Sequence, residues 1–269
     1  ACLVGSEMCI RDRYNSFTAG TNSDPDKYNN ELRQISQEFK TAGVKYVILD
    51  LRYNTGGSLD CVQLLATILV PSARMGTPMA YLEYNDKNID KSTTIDFDQE
   101  VLKTGTNLNQ NVLIVITSGT TAGAAEMLLT SLYKKDQYPN IIVMGSASKG
   151  QTVATEQFIN ETYRWSVNPV VCTVYNSDHV AGEEPFILTP SDQFKISETS
   201  IDGTTNYSQF LPFGDPKERM LSIAIQTLEG TYPPKDEDKE ETPSTKSFKI
   251  EKNVSSPASR RFAGGLRIK

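Results

Sequence analysis

The sequence predicts an α/β fold built on parallel strands, with a more β-rich C-terminal half. Three observations predict it. Two near-continuous apolar stretches, "VKYVILDL" (44–51) and "NVLIVIT" (111–117), each run into a small-residue turn and then an apolar-faced helix. Strands apolar on both faces belong inside a parallel sheet. A third apolar run, "NIIVMG" (140–145), follows the second of those helices, so strands and helices alternate and right-handed crossovers are implied. Beyond Gly150 the runs become shorter and more amphipathic: "TVATEQFI", "YRWSVNP" and "VVCTVYN".

In chain order, "YNSF" (14–17) is a short apolar entry and "TAGTNSDPDK" (18–27) a polar turn. "NELRQISQEFKTAG" places Leu32, Ile35 and Phe39 at helical spacing, with Gly43 positioned to stop the helix. The strand "VKYVILDL" is broken by "RYNTGG", and the helix "LDCVQLLATILV" then runs to Pro71. Ser72 to Asn109 is polar and irregular and reads as an excursion over the surface. "SGTTAG" (118–123) is the second small-residue turn and "AAEMLLTSLYKK" the helix that follows it. After a turn-rich stretch to Gly214, "DPKERMLSIAIQTLEG" reads as a helix with Asp215 as N-cap, Pro216 in the first turn and Gly230 as terminator. "TYPPKDEDKEETPSTK" is a charged, proline-containing linker, and the last twenty or so residues read as either an edge strand or a tail.

Composition narrows the function classes. The chain has 269 residues, a net charge of -6 and 38% hydrophobic residues, ordinary values for a chain that buries a core. An acidic chain without a basic stripe lacks the electrostatic footprint of a nucleic-acid binder. The apolar runs are strand-length, well short of the roughly 20 residues that span a bilayer as a helix, so the chain is not read as transmembrane. The opening "ACLVGSEMCIRDR" resembles translated sequencing-adapter read-through, so residues 1–13 are set aside as non-native; a genuine start inside a larger protein is the alternative. That leaves a core domain over 14–230, and a linker and tail over 231–269. Of the four cysteines, Cys2 and Cys9 fall in the excluded segment; Cys61 and Cys172 read as small buried hydrophobes.

The chemistry is expected where two parallel strands end, because ligands of open α/β sheets gather beyond the carboxyl ends of the strands. Gly56 and Gly57 in "LDLRYNTGG" let backbone approach a ligand closely, and Ala124 opens the next helix after "TTAG". Converging N–H groups from Gly56, Gly57 and Ala124 are oxyanion-hole-like. Tight structural turns account for the same residues.

"VILDLRYNTGG", then "VLIVITSGTTAGAAEMLL", then "IIVMGSASKGQTVATEQF" resembles the core of the tail-specific, or C-terminal-processing, serine peptidase family. "YNSFTAG" and "FLPFGDPKERMLSIAIQTLEG" are similar to its flanking segments, so the likeness covers roughly 14–230. The resemblance implies a crotonase/Clp-protease-like core, no cofactor and no metal, and a location in the periplasm or cell envelope. It also implies a PDZ domain that often precedes this core and is not visible here. Cleaving members use a Ser-Lys dyad. In register, the serine falls on Gly123, fixed by Thr121, Ala122, Ala124 and Glu126, and the lysine falls on Gln151, fixed by Gly145 and Gly150.

Glycine carries no nucleophile, and a glutamine amide is no general base. The resemblance therefore implies a non-cleaving homologue whose partner is an unfolded peptide or protein C-terminus. A small hydrophobic ligand is the alternative partner, since the family has a retinoid-binding branch that does not cleave. Active proteolysis remains open through a shifted pair, Ser118 or Thr121 (or Thr120) with Lys149. His179, near Asp178 and Glu183, reads as a solvated loop residue in preference to a metal or triad site. Asp50 and Arg52 read as structural, and Trp165 as packing.

Overall fold

The computed structural model of the chain describes residues 4–6, 9–133, 140–179, 189–197, 200–201, 204–205, 211, 214–233 and 265–268. Its strands begin with β1 (Val4–Ser6), β2 (Cys9–Arg13), β3 (Tyr46–Asp50), β4 (Gly56–Ser58), β5 (Pro78–Tyr84), β6 (Thr93–Asp96), β7 (Val112–Thr117) and β8 (Asn140–Gly145). They continue with β9 (Val153–Glu156), β10 (Phe158–Asn160), β11 (Trp165–Val167), β12 (Val170–Asn176), β13 (Ser200–Ile201), β14 (Thr204–Thr205) and β15 (Gly265–Ile268). The helices are α1 (Lys27–Thr41), α2 (Leu59–Leu69), α3 (Ala124–Leu132) and α4 (Arg219–Glu229).

The first sheet runs β1-β2-β3-β7-β8 and is parallel from β2 to β8. Its central strands are apolar on both faces because a core lies on each side. Val47 and Leu49 of β3, with Leu113 and Val115 of β7, enter the larger core with α1, α2 and α3. Ile48, Ile114 and Ile116 point the other way, onto Met220, Leu221 and Ala224 of α4. Each such side chain contributes about 1.5–3 kcal/mol by burial. α1 buries Leu32 and Phe39 on that spacing and ends at Gly43, whose φ of 66° suits a helix terminator.

The second sheet runs β4-β15-β9-β12-β5-β6, parallel at β4, β15 and β9 and antiparallel from β9 to β6. This mixed sheet is the β-rich half the sequence predicts. Two short hairpins, β10–β11 and β13–β14, stand outside it.

Three expectations need correction. Ser72 to Asn109 is no mere surface excursion: it supplies β5 and β6 and buries Met79, Ala80, Leu82 and Phe97 in the larger core. Its polar residues face out of an antiparallel edge, which masks the alternation. Cys9–Arg13 pairs along β3. Backbone pairing at an open strand edge makes little demand on sequence. The tail strand is interior to its sheet, held between β4 and β9, and so is not an edge. Finally, α4 is capped by Glu218, whose carboxylate accepts Met220 N–H at 3.3 Å and Leu221 N–H at 2.9 Å. Asp215 instead closes a turn with Lys217. The linker residues 234–264 and Glu183 lie outside the described residues.

Candidate functional site

The carboxyl end of β3 is locked by charge. Arg52, 5% exposed, donates from Nη2 to Asp50 Oδ2 at 2.7 Å and from Nε to Asp50 Oδ1 at 3.0 Å. Its Nη1 donates to Glu218 Oε1 at 3.1 Å, so one guanidinium joins the strand end to the cap of α4. This is the structural task expected of Asp50 and Arg52.

Asn54, fully buried, organises the glycine turn that follows. Its Oδ1 accepts the Gly56 N–H at 2.9 Å, its Nδ2 donates to the Tyr14 carbonyl at 2.7 Å, and its own carbonyl accepts the Ala122 N–H at 3.1 Å. One residue thus ties the "YNSF" entry, the "GG" turn and the "TTAG" turn together. The Gly56 N–H thus has Asn54 Oδ1 as its acceptor in this structure. Gly57 lies in β4 beside Phe17 and Leu266, and Ala124 is the first residue of α3, where the N–H has no intrahelical acceptor.

The turn between β7 and α3 is equally fixed. Thr121 is buried and donates its hydroxyl to the Leu51 carbonyl at 2.8 Å while accepting the Ser118 N–H at 3.0 Å. Ser118 Oγ donates to the Arg52 carbonyl, which Thr120 Oγ1 also reaches at 2.8 Å. Lys149 has an exposed side chain and bonds Thr121 through its backbone N–H to the Thr121 carbonyl. The hydroxyls of the shifted pair are therefore engaged with backbone carbonyls.

Gly123 follows at φ 57°, ψ -109°, a left-handed conformation that glycine adopts at little cost. Its N–H donates to Glu126 Oε2 at 2.8 Å. The same oxygen accepts the Gln151 N–H at 2.8 Å, and the other carboxylate oxygen accepts the Gly150 N–H. Glu126 is 0% exposed. A buried carboxylate satisfied by three backbone donors at a helix N-terminus is favourably placed, because the donors and the helix dipole both stabilise its charge. The two residues aligned with the dyad positions, far apart in sequence, thus share one anchor.

Across them lies β15. Gly265 N–H donates to the Thr55 carbonyl at 2.7 Å, Leu266 pairs with Gly57 on one side and Ala154 on the other, and Thr155 Oγ1 donates to the Leu266 carbonyl at 3.2 Å. Contact is tight enough to exclude side chains. A Cβ on Gly123 would press into the Gly265 backbone and come within 2.6 Å of the Leu266 nitrogen. A Cβ on Gly265, at φ 144°, would come within 2.5 Å of Gln151 Nε2. Gly123, Gly265 and Gln151 are therefore stacked as neighbours.

The remaining candidates lie elsewhere. His179 is exposed and packs against Tyr81 and Tyr175, with ring centroids at 4.6 Å and 4.8 Å. Trp165 is not a packing residue: it is 48% exposed on the β10–β11 hairpin, beside an equally exposed Phe158. Among the described residues this hairpin pairs with no third strand, and a two-stranded hairpin by itself covers little of its apolar side chains. Cys61 and Cys172 are buried free thiols, each pushed up to about 11 by burial.

Parallel and mixed sheets with helices between them, and two glycine turns at the strand ends, define a mixed α/β core. The Peptidase family S41 model matches residues 13–183, most of the chain, and the chain belongs to that family. The resemblance to tail-specific peptidases is thereby borne out. A Bacteroides fragilis NCTC 9343 protein described as an S41 protease is 36% identical with a TM-score of 0.74, over 85% of this chain and 56% of that one. The chain thus spans little more than half the length of that relative. A lipoprotein from Streptococcus agalactiae (24% identical, TM-score 0.51, 69% of this chain and 61% of that one) shares the fold. So does a Parabacteroides merdae ATCC 43184 protein described as a peptidase, at 17% identity and TM-score 0.51 over 88% and 65% of the two chains. No curated protein matches the chain.

Sequence reasoning missed two positioning residues. Asn54 sits inside "DLRYNTGG", where an asparagine two residues before a glycine signals an Asx turn. Glu126 stands three residues after Gly123, the spacing of a capping box whose first member here has no side chain.

Proposed function

We propose that this chain is a non-cleaving member of its family that binds extended peptide by strand addition. The reading is supported foremost by the slot between β4 and β9, in which an extended segment is paired by backbone on both sides, directly over Gly123 and Gln151. Recognition by strand addition takes affinity from main-chain hydrogen bonds and so tolerates many sequences. Neither residue supplies a nucleophile or a base, so a bound peptide meets binding groups alone. Loss of the serine in a comparable hydrolase lowers turnover on the order of a millionfold.

A hydrophobic-ligand reading has less support. An apolar cavity under α1 and α2, lined by Leu32, Phe39, Leu65, Ile68 and Leu108 among others, has a volume of only about 30 Å³. Sites for drug-sized ligands run to about 300–1,000 Å³. No helix among the described residues is long and apolar enough to cross a membrane. We place the protein in the cell envelope on family resemblance.

The test combines two readouts on the natural chain incubated with an unfolded peptide. Saturable fluorescence anisotropy up to millimolar peptide, with the peptide intact by mass spectrometry, is expected. Fragments would make the chain a working peptidase, and intact peptide with no saturable binding would remove the peptide-binding reading.

A further inference from the structure

We propose that residues 265–268 are a displaceable internal ligand of the β4–β9 slot, so that the chain's own C-terminal segment competes with outside peptides for it. The proposal rests on the reading of that slot as a peptide site and adds its regulation.

The walls and the occupant come from different parts of the chain. Gly56–Ser58, Gly123, Gln151 and Val153–Glu156 all fall within residues 13–183, the span matched by the family model; Gly265–Ile268 falls outside it. Without the occupant, β4 and β9 would present two facing edges two strand spacings apart, about 9–10 Å, the width that admits one strand. The occupant is parallel to both walls. It is reached through residues 234–264, a stretch rich in Lys, Asp, Glu and Ser in place of a crossover helix sequence.

The fit is specific in one direction and weak in total. Gly265 is the residue that passes between Gly123 and Gln151, and a Cβ there meets Gln151 Nε2 at 2.5 Å. Leu266, 1% exposed, anchors the segment in the larger core, and Ile268 packs partly against it. One buried side chain, two partly buried ones (Arg267 and Ile268) and a short ladder stand against the entropy of ordering four residues, terms of similar size. A segment so balanced returns to the slot chiefly because it belongs to the same chain, which makes its rebinding intramolecular.

The experiment follows hydrogen exchange at the 265–268 amides of the full natural chain, alone and with millimolar isotope-labelled peptide of sequence "RRFAGGLRIK" (260–269). It also compares anisotropy titrations of the dye-labelled peptide against the natural chain and Gly265→Val. The expected result is protection in the chain alone, loss of protection on adding peptide, and binding to Gly265→Val about tenfold tighter than to the natural chain. Two results overturn the proposal. If 265–268 exchange unprotected and the peptide binds both chains equally, the slot reading stands and self-occupancy fails. If protection persists under saturating peptide, the strand is a fixed part of the sheet; absence of binding to either chain then removes the slot reading as well. The exchange arm needs no variant, so a Gly265→Val chain that fails to fold does not rescue the idea.

Discussion

The buried carboxylate of Glu126 accepts the Gln151 N–H at 2.8 Å with the same oxygen that accepts the Gly123 N–H at 2.8 Å. One acidic side chain thereby holds the α3 turn and the loop after β8 as a single surface. Glu126→Gln turns an amide NH2 toward backbone donors. Loss of a charged acceptor from several buried N–H groups costs about 3 kcal/mol or more. Urea denaturation should show that loss in midpoint at an unchanged m-value. A shift below about 0.5 kcal/mol, the size of an ordinary surface substitution, would mean the anchor is dispensable.

Arg52 carries the second prediction. Arg52→Leu removes the guanidinium that Asp50 and Glu218, each with a side chain 13% exposed, both contact. Removing one partner of a buried ion network costs about 3–5 kcal/mol. The double substitution Arg52→Leu with Glu218→Gln should recover part of it, because one orphaned charge is gone. Equal stability of the single and double variants would contradict this coupling.

The buried thiols give a pH prediction. Both native pKa values lie near 11, above the ordinary thiol value, so between about pH 9 and 11 the unfolded chain releases protons that the folded chain retains. The contribution is full below about 9 and is lost as pH rises through 11. Melting temperature should fall across that window, and Cys61→Ala with Cys172→Ala should flatten the fall. Both thiols should also resist a thiol reagent at pH 8 until the chain unfolds.

Gly123→Ser does not restore a nucleophile by itself. The backbone at φ 57°, ψ -109° costs a non-glycine residue about 1–3 kcal/mol, and its Cβ meets the Gly265 and Leu266 backbone. The expected outcome is faster hydrogen exchange at 265–268, with no cleavage of added peptide. Unchanged exchange would mean that the turn and β15 are not in contact.

Much of this was legible in the sequence, for reasons particular residues make plain. Val47, Ile48 and Leu49 announce a doubly buried strand because their periodicity is local, and the pairing of positions 123 and 151 follows from two short motifs. Other features depend on partners distant in the chain. "GLRI" has no periodic signal of its own, and its place is set by two strand edges 100 residues or more away. Glu218 caps α4 in preference to Asp215 because Arg52 draws it in. The outward-facing Trp165 shows the converse: an aromatic in a short strand signals burial only where a second layer exists to cover it.

The central claim is that the scaffold is intact and only the cleaving groups are missing. Its most direct measurement is mass spectrometry of an unfolded peptide substrate incubated with the natural chain and with Gly123→Ser, Gln151→Lys carrying Gly265→Val to clear the slot. The account predicts intact peptide with the natural chain and fragments with the restored one. Fragments from the natural chain that disappear in Lys149→Ala would contradict it and move the chemistry to Ser118, Thr120 or Thr121.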